Sequence, residues 1–220
     1  IVAATLNMSV RLNVKSSKAF RAIEDILKAR LEVQGIELES KSSMMVLSLL
    51  AIDKDPRQLE PGRVEVTKVG GTILTTLLKF PPEKCKALMR SMKHLKTEET
   101  LRLTEDYLGI RVLEAFLDSP ADSDVKQPLI RSVKGHFGKV AAVTHCSFFL
   151  EKCFKAAHTD LKEVIVEELI QDKSAILATY RGPGIFKTCA VELYQRSKRE
   201  WTQHLARVVN VKKSYEDMFS

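Results

Sequence analysis

The segment Cys146-Ser147-Phe148-Phe149-Leu150-Glu151-Lys152-Cys153-Phe154 places apolar or small side chains at 146, 149, 150, 153 and 154. That spacing is the face of an α-helix buried against other helices. The same kind of opening, a small residue or Pro followed by a similar apolar pattern, occurs three more times. The copies are Gly70-Gly71-Thr72-Ile73-Leu74-Thr75-Thr76-Leu77-Leu78, Gly109-Ile110-Arg111-Val112-Leu113-Glu114-Ala115-Phe116-Leu117 and Gly182-Pro183-Gly184-Ile185-Phe186-Lys187. Counted from the residue after the first of each, the starts are Gly71, Ile110, Ser147 and Pro183, which lie 39, 37 and 36 residues apart. A period in this range leaves room for two or three helices per unit. It predicts a solenoid in which each unit covers its neighbour's apolar face.

Working outward, helical periodicity dominates and sustained two-residue alternation is absent, so the class is all-α. Helices are expected over 17–33, 44–52, 64–79, 83–95, 108–117, 126–133, 147–157, 160–170, 183–194 and 197–209. Gly35 ends the first, Pro56, Pro61 and Gly62 mark a loop, and Thr159-Asp160 offers a cap. One array should span 1–220, with repeats at 63–99, 100–136 and 137–172, and a last repeat with its cap at 173–220. Residues 1–62 would hold degenerate repeats, one around Ser43 and one opening at Ile1-Val2-Ala3-Ala4-Thr5. Ile1 to Val14 reads as a helix already in progress, which predicts that the chain continues on its N-terminal side.

Apolar residues make up 45% of the chain and charged residues 29%, a balance that favours a packed core over disorder. No apolar run approaches the ~18 residues of a membrane span, and no partner membrane is expected. The net charge is +7. Basic residues exceed acidic ones by 18 to 14 in 1–110 and by 17 to 14 in 111–220. An excess spread so thinly meets a polyanion only if the fold gathers it on one face.

Catalytic signals are missing: there is no GxxxxGK, GxSxG or HExxH. Asp118, Asp122 and Asp124 lack the Gly and closing Glu of a calcium loop. Cys85, Cys146, Cys153 and Cys189 have no CxxC spacing and no zinc-finger register with His, so they are expected as buried thiols. The chain reads as a binder and not an enzyme, with no cofactor or metal.

A helical repeat of about 36 residues with this helix start resembles the pumilio (PUF) repeat. The likeness narrows over particular stretches, namely 104–118 with Arg-Val-Leu-Glu-Ala-Phe-Leu at 111–117, and 133–155 with Gly-His-Phe-Gly at 135–138 and Glu-Lys-Cys-Phe at 151–154. Gly182-Pro183 and the run from Tyr194 to Trp201 add to it. These look like the C-terminal repeats of the nucleolar protein 9 family and its plant nucleolar pumilio relatives, closely over about 100–205 and loosely over 1–100. The resemblance implies a curved, right-handed superhelix of about five to six repeats that binds single-stranded RNA. The target would be precursor ribosomal RNA during small-subunit maturation in the nucleolus, within the nucleus. The protein would be a monomer, with other ribosome assembly factors as further partners.

In that family three positions of a repeat's second helix meet RNA: the first and fifth touch a base edge, and the second stacks. At about 100° per residue, positions one and five fall roughly 40° apart on the helix, with position two to the side. Ser147, Phe148 and Glu151 therefore share a face. A carboxylate only accepts hydrogen bonds, which suits the two N–H donors of guanine, and the resemblance assigns this combination to guanine with Phe148 as the stacking ring. The competing reading pairs Glu151 with Lys155 and packs Phe148 between repeats. Ile110, Arg111 and Glu114 form a poorer set, because Ile110 has no polar atom to read an edge; Arg111 would stack on a base or meet phosphate, and the competing reading is a surface ion pair with Glu114 or Asp118. Lys187, with Arg181 nearby, reads as a phosphate contact, and Lys155 would add charge to the groove. Trp201 is expected to cap the open end of the array. The rival for the whole chain is a HEAT- or armadillo-like protein-interaction scaffold, in which the groove would be apolar or acidic and not basic.

Overall fold

The computed structural model describes residues 22, 23, 25, 26, 29, 44–55 and 63–218, with side chains described as far as 208. The positions expected at Ile1, Val2 and Thr5 and the Pro56–Gly62 loop lie outside the described residues. Of the helix expected over 17–33, the five described residues are helical and Ile23 is buried.

Among the described residues thirteen helices follow: α1 (Met44–Leu50), α2 (Lys68–Leu77), α3 (Lys86–Lys93), α4 (Thr97–Glu105), α5 (Tyr107–Asp118), α6 (Ser123–Ser132), α7 (Phe137–Ala141), α8 (Ser147–Ala156), α9 (Thr159–Gln171), α10 (Lys173–Leu177), α11 (Gly182–Thr188), α12 (Val191–Arg196) and α13 (Lys198–Met218). Single 3₁₀ turns sit at Pro82–Lys84 and Thr144–Cys146. Among the described residues there is no strand, and no helix is long and apolar enough to cross a membrane. The helices come in threes, with the four marked openings falling on the middle members α2, α5, α8 and α11.

The chain divides into two compact units: Ile1–Lys134 with Lys155–Ala157, and Gly135–Phe154 with His158–Ser220. In the first, α1 packs on α2 and α3, and α4 packs on α5 and α6. The two triplets then meet like on like, α2 against α5 and α3 against α6. In the second, α7 packs against α10 and α9 against α12, again like on like, and α13 lies on α12. In the first unit α2, α3, α5 and α6 each meet both a helix of their own triplet and their counterpart in the other, the economy that defines repeat proteins.

The periodic glycines have a steric reason. A Cβ on Gly70 would collide with the Leu50 carbonyl, one on Gly109 with that of Leu103, and one on Gly182 with that of Ile176. Each glycine thus lets the start of a middle helix ride on the backbone of the helix before it. The joint is fixed by a capping side chain three residues earlier. The Thr67 hydroxyl donates to Leu50 O (2.8 Å) and accepts from Gly70 N (3.1 Å). The Thr179 hydroxyl does the same between Ile176 O (2.8 Å) and Gly182 N (3.0 Å). At the second opening Asp106 Oδ1 accepts from Gly109 N at 2.8 Å.

Three short helices, α4, α7 and α10, stand where the sequence analysis placed none. The helix expected over 183–194 is instead two, α11 and α12, because Ala190 takes a left-handed backbone (φ 50°) between them. Gly135 (φ 86°) turns the chain within Gly-His-Phe-Gly, and the next helix starts at Phe137. All four cysteines are buried thiols. Trp201, fully buried, donates from Nε1 to Cys189 O (2.9 Å) and meets Tyr194 edge to face at 5.0 Å, which seats the start of α13 on the last triplet.

Candidate nucleic-acid interface

In the second unit, α8 presents the three residues chosen from the 147–151 register in different ways. Phe148 is an exposed large apolar side chain, 45% accessible. Glu151 lies one turn on, partly buried, its side chain 15% accessible. Ser147 is buried, and its hydroxyl donates to Thr144 O at 3.0 Å across the turn that starts α8. The cation beside Glu151 is Arg181, with Nη2 3.6 Å from Oε1, and not the Lys155 of the competing reading. The Arg181 guanidinium also covers the Phe148 ring, 4.2 Å from its centroid. Three of the nine nominated residues therefore form one cluster. Arg181, expected at phosphate, is in the free protein bound to the aromatic ring and the carboxylate instead.

The equivalent helix of the first unit, α5, builds a related cluster by local means. Arg111 donates to Glu114 Oε2 at 3.0 Å and to the Tyr107 hydroxyl at 3.3 Å, and its guanidinium lies 5.3 Å from the Tyr107 centroid. The hydrogen bond to Tyr107, then the Glu114 carboxylate, pushes the Arg111 pKa up. Tyr107 is 61% exposed. It falls outside the three reading positions, although its place four residues before Arg111 puts the two on one helix face. Ile110 is buried in the core and presents nothing to a ligand, a consequence of its apolar side chain at the inward position. Glu114 is also buried, beneath Arg111.

Lys187 and Lys155 are both exposed. Lys187 shares a cleft of about 530 Å³ with Lys173, Leu177, Pro183 and Phe186 at the last triplet. Exposed lysines in such positions suit phosphate oxygens and carry no base preference. Among the described residues no group of three or more His, Cys, Asp or Glu could hold a metal ion.

What fold and site define together is an all-helical repeat protein whose middle helices display aromatic, arginine and carboxylate side chains. Residues 2–182 match the model of the NOP9-like PUF repeat domain, and the chain belongs to that family. It is 28% identical to Pumilio homolog 23 of Arabidopsis thaliana over 91% of the chain and 26% of that protein. It is 25% identical to Nucleolar protein 9 of Emericella nidulans over 66% of the chain and 22% of that protein. The solved structures described as APUM23-GGAAUUGACGG and APUM23-GGAGUUGACGG each superpose with a TM-score of 0.80 at 29% identity, over 93% of the chain and 38% of theirs. The chain thus spans about a quarter of the length of these curated relatives.

Proposed function

We propose that this chain is a non-enzymatic RNA-binding segment of a pumilio-type protein, and that its ligand is single-stranded precursor ribosomal RNA, bound in the nucleolus during small-subunit maturation. The observation that carries the reading is the pairing of an exposed ring, Phe148, with a partly buried carboxylate, Glu151, one turn apart on a middle helix. Membership of the family, the nucleolar names of the fungal relatives, and neighbours whose descriptions carry a U-containing nucleotide string support it.

In this reading a base stacks on Phe148 while Glu151 accepts from the paired N–H donors of guanine. Ser147, buried under the turn, holds the start of α8 in place. Lys187 and Lys155 meet backbone phosphate, as Arg111 does from α5. The test is titration of GGAAUUGACGG RNA by fluorescence anisotropy. Phe148→Ala should weaken binding by roughly five- to a hundredfold, the range expected from losing one stacked base. Glu151→Ala should weaken it only while guanine occupies the position it meets. Lys187→Ala should weaken all sequences alike and lower the salt slope by about one. Unchanged binding in both Phe148→Ala and Glu151→Ala would refute the assignment.

A further inference from the structure

Arg181 contributes the N-terminal flank of α11, while Phe148 and Glu151 sit thirty-three and thirty residues earlier on α8. The contact between them is thus a tertiary feature, not a by-product of helix register. A guanidinium is planar, carries N–H donors at its edge, and here lies 4.2 Å from the centroid of an aromatic ring with one nitrogen 3.6 Å from a carboxylate oxygen. Guanine offers the same two features to the same two groups: a flat π face for the ring, and N1–H with N2–H for the carboxylate. One ring face and one carboxylate edge cannot hold both at once.

We infer that Arg181 is a built-in stand-in for a guanine base: it occupies the Phe148–Glu151 position in the free protein and must swing away before a nucleotide enters. The inference rests on the reading of Phe148 and Glu151 as the base-binding pair. Swinging out is sterically simple, because the Arg181 side chain is 35% exposed and, among the described residues, is held by Phe148 and Glu151. Energetically the latch lowers the apparent affinity by the fraction of molecules in which it is open. An ion pair at this degree of exposure and a cation–π contact each contribute modestly, which sets the closed-to-open ratio at roughly three to ten. Every base that uses the Phe148 face meets the same barrier, so the latch scales affinity without altering which base is preferred.

The consequence has an unusual sign. Removing a basic residue from an RNA-binding surface ordinarily weakens binding and lowers its salt dependence. Arg181→Lys keeps the charge but loses the planar fork, and should bind GGAAUUGACGG RNA roughly three- to tenfold more tightly than the unaltered chain. The guanine-over-adenine ratio at the position that Glu151→Ala identifies should stay unchanged. In a Phe148→Ala, Glu151→Ala background the gain should vanish, because nothing remains to be covered. Arg181→Ala, with thermal melting confirming the fold, provides the second variant; at ~0.3 M salt, where the lost charge is screened, it should also bind more tightly. Weaker or equal binding in both Arg181 variants would overturn the latch while leaving the Phe148–Glu151 reading standing. Loss of any effect from Phe148→Ala and Glu151→Ala would overturn that reading and the latch with it.

Discussion

Glu114 and Glu151 hold the same place in successive middle helices, and each is met by an arginine. Arg111 comes from the same helix at 3.0 Å, and Arg181 from a later triplet at 3.6 Å. In both cases the arginine also lies over an exposed ring, Tyr107 in one and Phe148 in the other. The element that recurs is therefore a trio of ring, guanidinium and carboxylate, assembled from different sequence positions in the two units. The α5 trio is sealed by a hydrogen bond to Tyr107 and by the burial of Glu114, whereas the carboxylate of the α8 trio stays partly exposed. That difference makes α8 the better candidate for reading a base.

The glycine joints predict a contrast within one helix. Gly182→Ala would drive a methyl group into the Ile176 carbonyl, while a Cβ on Gly184 meets nothing within 4 Å. Gly182→Ala should lose about 1–3 kcal/mol by forcing α10 and α11 apart. Gly184→Ala should be neutral or gain up to ~1 kcal/mol from helix propensity. Urea denaturation of the two variants decides the point, and equal stabilities would contradict the close-approach account.

Glu168 makes a second structural prediction. From α9 its carboxylate accepts from Gly135 N at 2.7 Å and Phe137 N at 2.8 Å, satisfying the free amides at the start of α7. Glu168→Ala should cost about 1–3 kcal/mol and raise amide hydrogen exchange around 135–141 more than elsewhere. Uniform exchange across the unit would show that the cap is dispensable.

Cys85 ties stability to alkaline pH. Burial, reinforced by the negative charge of Glu83, pushes its thiol from 9.0 up to about 11. The folded state thus holds its proton more tightly than the unfolded chain does. The contribution is fully present below about pH 9 and is lost as pH rises toward about 11. Cys85→Ser should flatten that decline in a series of melts across this window; an identical pH profile would assign the decline to other groups.

Much of the architecture was legible because it rests on local chemistry. The 39-, 37- and 36-residue steps located four middle helices, and the lack of CxxC or zinc-finger spacing at Cys85, Cys146, Cys153 and Cys189 marked them as buried thiols. The helices that escaped notice are α4, whose face is largely Thr and Glu, and α7 and α10, whose five residues each are too few to display a period. The break at Ala190 carried no Gly or Pro to announce it. At the site, Phe148 and Glu151 followed from helix register, but the partner of Glu151 did not. Lys155, four residues on, was the local candidate, whereas the structure uses Arg181, which only tertiary folding brings near. Ile110 and Ser147 occupy register positions one in their helices, yet both side chains turn into the packing. Register assigns a face to a residue but does not tell how far neighbouring helices cover it.

The central claim is that RNA lies on the exposed side of α8. Ultraviolet crosslinking of GGAAUUGACGG RNA to the protein, followed by mass spectrometry of the adducted peptides, examines this directly. The account predicts a principal adduct on the peptide carrying Phe148, enriched when Arg181 is replaced by Lys and abolished by Phe148→Ala. Adducts confined to peptides outside α8 and α11, with none at Phe148 in any variant, would contradict it.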